Sequence, residues 1–188
     1  MRWDALFDDL ESQMAEQDRL VLDSEIGERV RAELVGITIG DRLRGSMHCR
    51  LTVHLQCGEA VHGILRHAAA DALVLEEGPH QALVPYAAVM RYSGLGRLAA
   101  GESSAVKRRL GLAHALRALA RDRAGLSVTV GSGTSIRLDG VIDRVGADFF
   151  DLALVAPGDA RRHTQVQTVS TIPFSAVSLV RSGSAGVL

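Results

Sequence analysis

The sequence contains the same pattern twice, and this internal repeat restricts the possible folds more than any other feature. The first repeat covers residues 46–97 and the second repeat covers residues 124–183. CRLTVHL resembles LSVTVGS, EAVHGILRHAAADALVL resembles SIRLDGVIDRVGADFFDLAL, and LVPYAAVMRYSG resembles TIPFSAVSLVRSG. The second repeat is longer, and its insertion falls most naturally in APGDARRHTQVQ. The chain therefore carries one structural module twice.

Each repeat has the alternating pattern of short β-strands. Apolar residues at every second position of the first strand predict one buried face. A glycine in the second strand, Gly63 or Gly140, permits the sharp bend that a small closed barrel requires. Each repeat then ends in an apolar–Pro–aromatic step around Pro85 or Pro173. Five short strands in so short a segment predict a small antiparallel barrel.

Helical spacing precedes both repeats. Trp3, Phe7 and Leu10 recur at three- or four-residue steps in an acidic segment, which predicts an amphipathic opening helix. We therefore expect an α+β chain with two tandem five-stranded Sm-like or SH3-like barrels, each preceded by a helix. The expected organisation is an N-terminal helical segment over 1–45, a first barrel over 46–97, a linker and basic helix over 98–123, a second barrel over 124–183, and a tail over 184–188.

The basic segment before the second repeat offers the best candidate for contact with phosphate groups. At ~100° per residue, Lys107, Arg117 and Arg121 form a stripe on one side of the predicted helix. Such a stripe is either a solvated outer face that complements the acidic first helix or a nucleic-acid contact. Both interpretations stay open.

The order of elements resembles the Sm-like fold, the family that includes the bacterial RNA chaperone Hfq. GVIDRVGADFFDLAL is similar to the second and third strands of that family, and AVSLV after Ile172-Pro173-Phe174-Ser175 resembles the segment that closes its barrel. PRC-type barrels and the barrel of ribosome-maturation factors have a similar pattern. The resemblance implies RNA binding, but Pro173, Phe174 and Ser175 stand where Hfq-like proteins carry Tyr-Lys-His, so the uridine pocket of the family is absent.

Phe149, with Arg144 nearby, offers a stacking ring and a charge for RNA, or else fills the core. The whole chain also resembles bacterial proteins of similar length that share openings like RWDALFDDLE, some of them labelled Fis-family transcriptional regulators. A Fis-type DNA reader ends in a helix–turn–helix. This chain ends instead in predicted strands and a Gly/Ser tail, SGSAGVL.

Signatures of catalysis, metal binding and membrane insertion are lacking. No Ser or Cys stands at an interpretable spacing from a His and an acid. The two cysteines suggest reduced core residues, and the histidines His54 and His62, which a hairpin brings face to face, lack a further ligand at a zinc spacing. The acidic start is unlike a signal peptide. We expect a cytoplasmic protein with no cofactor, no metal and no membrane partner.

These observations favour a non-enzymatic binding or assembly module. One hypothesis is contact with RNA or another nucleic acid. The alternative is a protein–protein interaction or an oligomeric scaffold, in which the edge strands pair within the chain or extend into a ring of several chains. The candidate nucleic-acid residues are Lys107, Arg117, Arg121, Arg144 and Phe149; the candidate protein-interaction residues are Trp3, Phe7 and Leu10.

Overall fold

A computed structural model describes residues 34–102, 110–154 and 168–182, together with residues 14, 16, 19 and 104. The chain divides into two compact units, Met1–Thr38 and Ile39–Leu188. In the first unit, Met14, Glu16 and Arg19 have helical backbone. The predicted opening helix with Trp3, Phe7 and Leu10 lies outside the described residues.

The described residues of the second unit form mainly β-strands, ten in all and five from each repeat. Helix α1 (Ile39–Gly45) precedes the first repeat and helix α2 (Leu112–Arg121) precedes the second. A 3₁₀ turn separates the last two strands of each repeat, at Tyr86–Ala88 and at Phe174–Ala176. The strands are β1 (Arg50–Leu55), β2 (Ala60–Ala68), β3 (Ala72–Glu77), β4 (His80–Pro85), β5 (Val89–Ser93), β6 (Gly125–Val130), β7 (Ile136–Val145), β8 (Phe149–Leu154), β9 (Val169–Pro173) and β10 (Val177–Ser182).

The ten strands form one open antiparallel sheet in the order β5-β1-β2-β3-β4-β10-β6-β7-β8-β9. The prediction of two closed five-stranded barrels with helices is therefore wrong. Within each repeat the fifth strand pairs with the first, as a small barrel requires. The fourth strand of the first repeat, however, pairs with β10 of the second repeat and does not close on β5. Local alternation determines which residues form strands, but it carries no information about which edges meet.

The repeat is preserved in the backbone. A Cβ atom at Gly63 would collide with the carbonyl oxygen of Glu76, and one at Gly140 would collide with that of Ala153. Each glycine thus allows the second strand of its repeat to pass close to the third. Residues at the same place in the two repeats are called counterparts below: they lie 77 positions apart in β2–β3 and β7–β8, and 88 apart in β4–β5 and β9–β10.

The first strands align differently from the sequence comparison. Leu51 pairs with Gly63 and Leu126 pairs with Gly140, so Leu126 is the counterpart of Leu51. The sequence match of CRLTVHL to LSVTVGS instead aligns Leu126 with Cys49, and the structure shows that Cys49 is exposed. The error is two residues, which leaves the inward face unchanged because side chains alternate with a period of two.

The hydrophobic core has two clusters that cross the boundary between the repeats. One cluster contains Phe150 and Leu152 of the second repeat together with Leu83 of the first. The other contains Leu51 and Leu73 of the first repeat together with Leu179 of the second. Because each repeat inserts a leucine into the other's cluster, the two repeats share their packing.

Candidate protein interface at the edges of the sheet

Two of the predicted nucleic-acid residues meet at the turn between β7 and β8. Arg117 on α2 donates a hydrogen bond from Nη2 to the carbonyl oxygen of Gly146, at 3.0 Å. The ring of Phe149 lies so close to Gly146 that a Cβ atom there would collide with it. Arg121 is exposed on the last turn of α2, and Lys107 lies outside the described residues. Arg117 and the half-buried ring of Phe149 therefore both lie against Gly146 of this turn.

Arg144, also a predicted nucleic-acid residue, is engaged by a carboxylate. Its Nε donates to Asp151 Oδ2, while Thr171 Oγ1 donates to Asp151 Oδ1 at 2.6 Å. These two hydrogen bonds, that of Thr171 first, hold the pKa of the Asp151 carboxyl below its ordinary value. Arg144 is thus a partner of Asp151 and presents a largely neutralised charge to solvent, although most of its side chain is exposed.

The charges around this turn balance. Four arginines and four aspartates occupy α2, its C-terminal end and the part of the β7–β8 hairpin next to the turn, residues 142–151. Phosphate binding requires an excess of positive charge, which the described residues of this surface do not supply. The arginines are Arg117, Arg121, Arg123 and Arg144, and the aspartates are Asp122, Asp143, Asp148 and Asp151.

The two repeats join where β4 pairs with β10, and this contact is called the inner junction below. Leu83 lies opposite Val180, and Ala82 lies opposite Arg181. The register is therefore defined by two opposed pairs, fewer than any other pair of neighbouring strands in the sheet shows. Side chains must supply much of the specificity of this contact.

Arg181 forms an ion-pair cluster across the inner junction. Its Nη1 donates to Glu59 Oε1 at 2.5 Å, and its Nε donates to Glu77 Oε2 at 2.8 Å. The hydrogen bond to Glu77 raises the pKa of the guanidinium above its ordinary value. All three side chains are at least partly buried, so solvent screens this cluster less than a surface pair. The cluster ties the last strand of the second repeat to two elements of the first.

Strands β5 and β9 form the two outer edges of the sheet. They are the counterparts of β10 and β4, the strands that form the inner junction. Among the described residues, β5 and β9 each pair with a single strand. The ion-pair cluster is not repeated there, because Ser93 stands in place of Arg181 and Ile136 in place of Glu59. Leu154 likewise stands in place of Glu77. A position-by-position comparison of the two repeats would have revealed these differences, which the sequence analysis missed.

Apolar side chains are exposed on these outer edges and at Ile136, the counterpart of Glu59. Met90 on β5, Ile136 at the start of β7 and Val169 on β9 are 64%, 57% and 50% exposed. The counterpart of Val169 is Gln81, whose backbone N–H donates to Ser182 Oγ across the inner junction. Of these three positions, that of Ile136 corresponds to a side chain, Glu59, that contacts the other repeat. Exposed apolar side chains near unpaired strand edges are typical of a protein-binding surface.

A cavity of about 310 Å³ lies beside the inner junction, between the two 3₁₀ turns. Gln56 Nε2 donates to the carbonyl oxygen of Ala87 at 2.9 Å, and Ser178 Oγ donates to that of Gly131 at 2.6 Å. These two polar side chains are therefore engaged within the protein, and none of the described lining side chains is charged. Its described wall thus offers no charged side chain to an ionic ligand.

In the described part of the chain, no three His, Cys, Asp or Glu side chains come together as metal ligands. His54 and His62 do not lie opposite each other: His54 pairs with Ala60, and His62 Nδ1 lies 2.9 Å from Thr52 Oγ1. Cys49 and Cys57 are both free thiols.

No protein-family model matches the sequence. No curated protein matches it significantly either. The resemblance to the Sm-like family thus stays a prediction. None of the helices within the described residues is both long and apolar enough to cross a membrane.

Proposed function

We propose that this protein is a cytoplasmic assembly module that joins to further copies of itself, with β9 of one copy beside β5 of the next. One observation carries this proposal. The chain already contains such a contact, because the fourth strand of one repeat pairs with the fifth strand of the other at the inner junction. The counterparts of these two strands lie at the two ends of the sheet. Unpaired edge strands are templates for pairing with another chain.

The side chains of the outer edges favour a reversible contact. Thr171 and Arg91 replace Leu83 and Leu179, the leucines that cross the inner junction, so less apolar surface is available for burial. Ile136 and Met90 offset part of this loss. We therefore expect association that depends on protein concentration and that is weaker than the inner junction.

The contact joins two different edges, so it is heterologous. Repetition of a heterologous contact produces a closed ring when the rotation between copies closes, and a filament when it does not. The assembly closes with two copies when this rotation is a half-turn, and it contains more copies for any other rotation. Its size reports the rotation between neighbouring copies.

The first experiment tests the register copied from the inner junction. There Arg181 lies opposite Ala82, so their counterparts Ser93 and Ser170 should lie opposite each other between copies. Lysine at both positions, S93K/S170K, places like charges in contact, and S93K/S170E places opposite charges there. Sedimentation velocity over a wide range of concentrations should show an oligomer for the wild type. S93K/S170K should raise its dissociation constant about tenfold, and S93K/S170E should restore it.

Two outcomes of this experiment are decisive. A wild-type chain that sediments as a monomer at every concentration would contradict the proposed function. An oligomer that is indifferent to both charge variants would contradict the pairing of β5 with β9, because the substituted residues would then lie outside the contact.

A second candidate function is contact with single-stranded RNA, favoured by the position of Phe149 beside Arg117. An aromatic ring and a guanidinium are the groups that bind an unpaired base and its phosphate. If this surface binds RNA, R117E/R121E should abolish the fluorescence anisotropy change of a labelled single strand at low salt. An unchanged titration, or no binding by the wild type, would exclude this candidate.

A further inference from the structure

The start of helix α2 rests on the first repeat. The carboxylate of Asp71, in the β2–β3 turn, accepts a hydrogen bond from the backbone N–H of Leu112 at 2.7 Å. The backbone N–H of Ala70 donates to the carbonyl oxygen of Leu110 at 3.0 Å. Leu112 is 4% exposed and belongs to the same apolar cluster as Ala72. Helix α2, which precedes the second repeat, thus covers part of the surface of the first repeat.

Helix α1 occupies the corresponding place in front of the first repeat. It packs on β2, as α2 packs on β7, and β7 is the counterpart of β2. Leu43 in α1 and Leu116 in α2 are both completely buried. Ile39 lies four residues before Leu43, as Leu112 lies four residues before Leu116. Yet Ile39 is 41% exposed. Within the described part of the chain, no preceding repeat is present to cover it.

The surface that such a helix would cover is present at the other end of the sheet. In the first repeat it contains Ala72 and Leu83, which cluster with Leu112. Their counterparts in the second repeat are Phe149 and Thr171. Phe149 is half-buried and Thr171 is exposed. The second unit therefore exposes an isoleucine in α1, and its second repeat carries the positions that correspond to the surface on which Leu112 packs.

We propose that helix α1 of a second copy docks on the second repeat of the first copy, with Ile39 packed against Phe149 and Thr171. The occupant is a second copy because α1 is the helix of this fold that carries an uncovered residue at the place of Leu112. This inference rests on the proposed function and adds a helix contact to the strand contact. It also gives a use to Phe149, which a nucleic-acid role would require to be free.

The experiment compares two glutamate variants of the full chain. Ile39→Glu puts a charge into the proposed contact, while an acidic residue in the first turn of a helix is compatible with the helix dipole, so the copy itself still folds. Leu98→Glu is the matched control, since Leu98 is 75% exposed and lies outside the proposed contact. Circular dichroism should be the same for both variants. Sedimentation velocity should show the dissociation constant raised at least about tenfold by Ile39→Glu and unchanged by Leu98→Glu.

A cross-linking variant locates the contact directly. The photoreactive residue p-benzoylphenylalanine at position 39 should, on irradiation, give a dimer band whose cross-linked peptide contains Phe149 or Thr171. An oligomer that is insensitive to Ile39→Glu, or a cross-link to another segment, would overturn this inference and leave the strand contact in place. A wild type that is monomeric at every concentration would overturn both the strand contact and the helix contact. If the wild type is an oligomer, weakening by S93K/S170K but not by Ile39→Glu would show that only the helix contact is wrong.

Discussion

Asp151 is a carboxylate that is almost completely removed from solvent at the exposed end of the sheet. It is 2% exposed and accepts hydrogen bonds from Thr171 and Arg144. Its counterpart in the first repeat is Val74, an apolar residue packed against the core cluster of the second repeat. Aspartate can take the place of valine here because its buried carboxylate accepts hydrogen bonds from two donors. A polar residue is thus tolerated at this end of the sheet, where the first repeat requires an apolar one.

This environment predicts how stability depends on pH. The pKa of Asp151 is lower in the folded chain than its ordinary value of 3.8, because Thr171 and Arg144 favour the ionised form. The ionised carboxylate therefore stabilises the fold above about pH 4, and this contribution is lost as the pH falls through the folded pKa. Asp151→Asn should lower the urea midpoint at pH 7, and its difference from the wild type should vanish in strong acid.

The exposed Asp148 supplies the control for this prediction, since Asp148→Asn removes a carboxylate from the same hairpin without breaking a hydrogen bond to Thr171 or Arg144. Its urea midpoint should stay close to that of the wild type at both pH values. A gap between Asp151→Asn and the wild type that persists in strong acid would show that the loss comes from packing and not from the charge.

At the scale of single elements, the sequence predicted the strands well because their signals are local. The alternation of Leu51, Val53 and Leu55 placed β1, and Gly63 marked the bend in β2 where backbones approach closely. The helix before the second repeat was predicted to end at residue 123, and α2 spans Leu112–Arg121, so its end lies within two residues of the prediction. Each of these features depends on residues within a few positions of each other.

The pairing of the edges depends on residues far apart in sequence, and here prediction failed. Arg181 meets Glu77 and Glu59, which precede it by 104 and 122 positions. No spacing rule links such residues, and a strand that closes its own barrel has the same alternation as one that joins another repeat. The sequence pattern could therefore predict the repeat, but it could not predict the candidate interface.

At the scale of the whole molecule, the shared core predicts that the two repeats unfold together. Leu179 belongs to the second repeat but lies completely buried in the core cluster of the first. Leu179→Ala should cost about 2 to 5 kcal/mol of unfolding free energy, the usual range for a buried leucine. The substitution leaves a cavity in the core cluster of the first repeat, whereas the substituted strand, β10, belongs to the second repeat. Hydrogen exchange should therefore accelerate in peptides from both repeats, and urea unfolding should stay a single transition. Leu98→Ala, at an exposed position, should leave both measurements unchanged. Two separate transitions, or faster exchange confined to one repeat, would show that the inner junction joins two independent folding units.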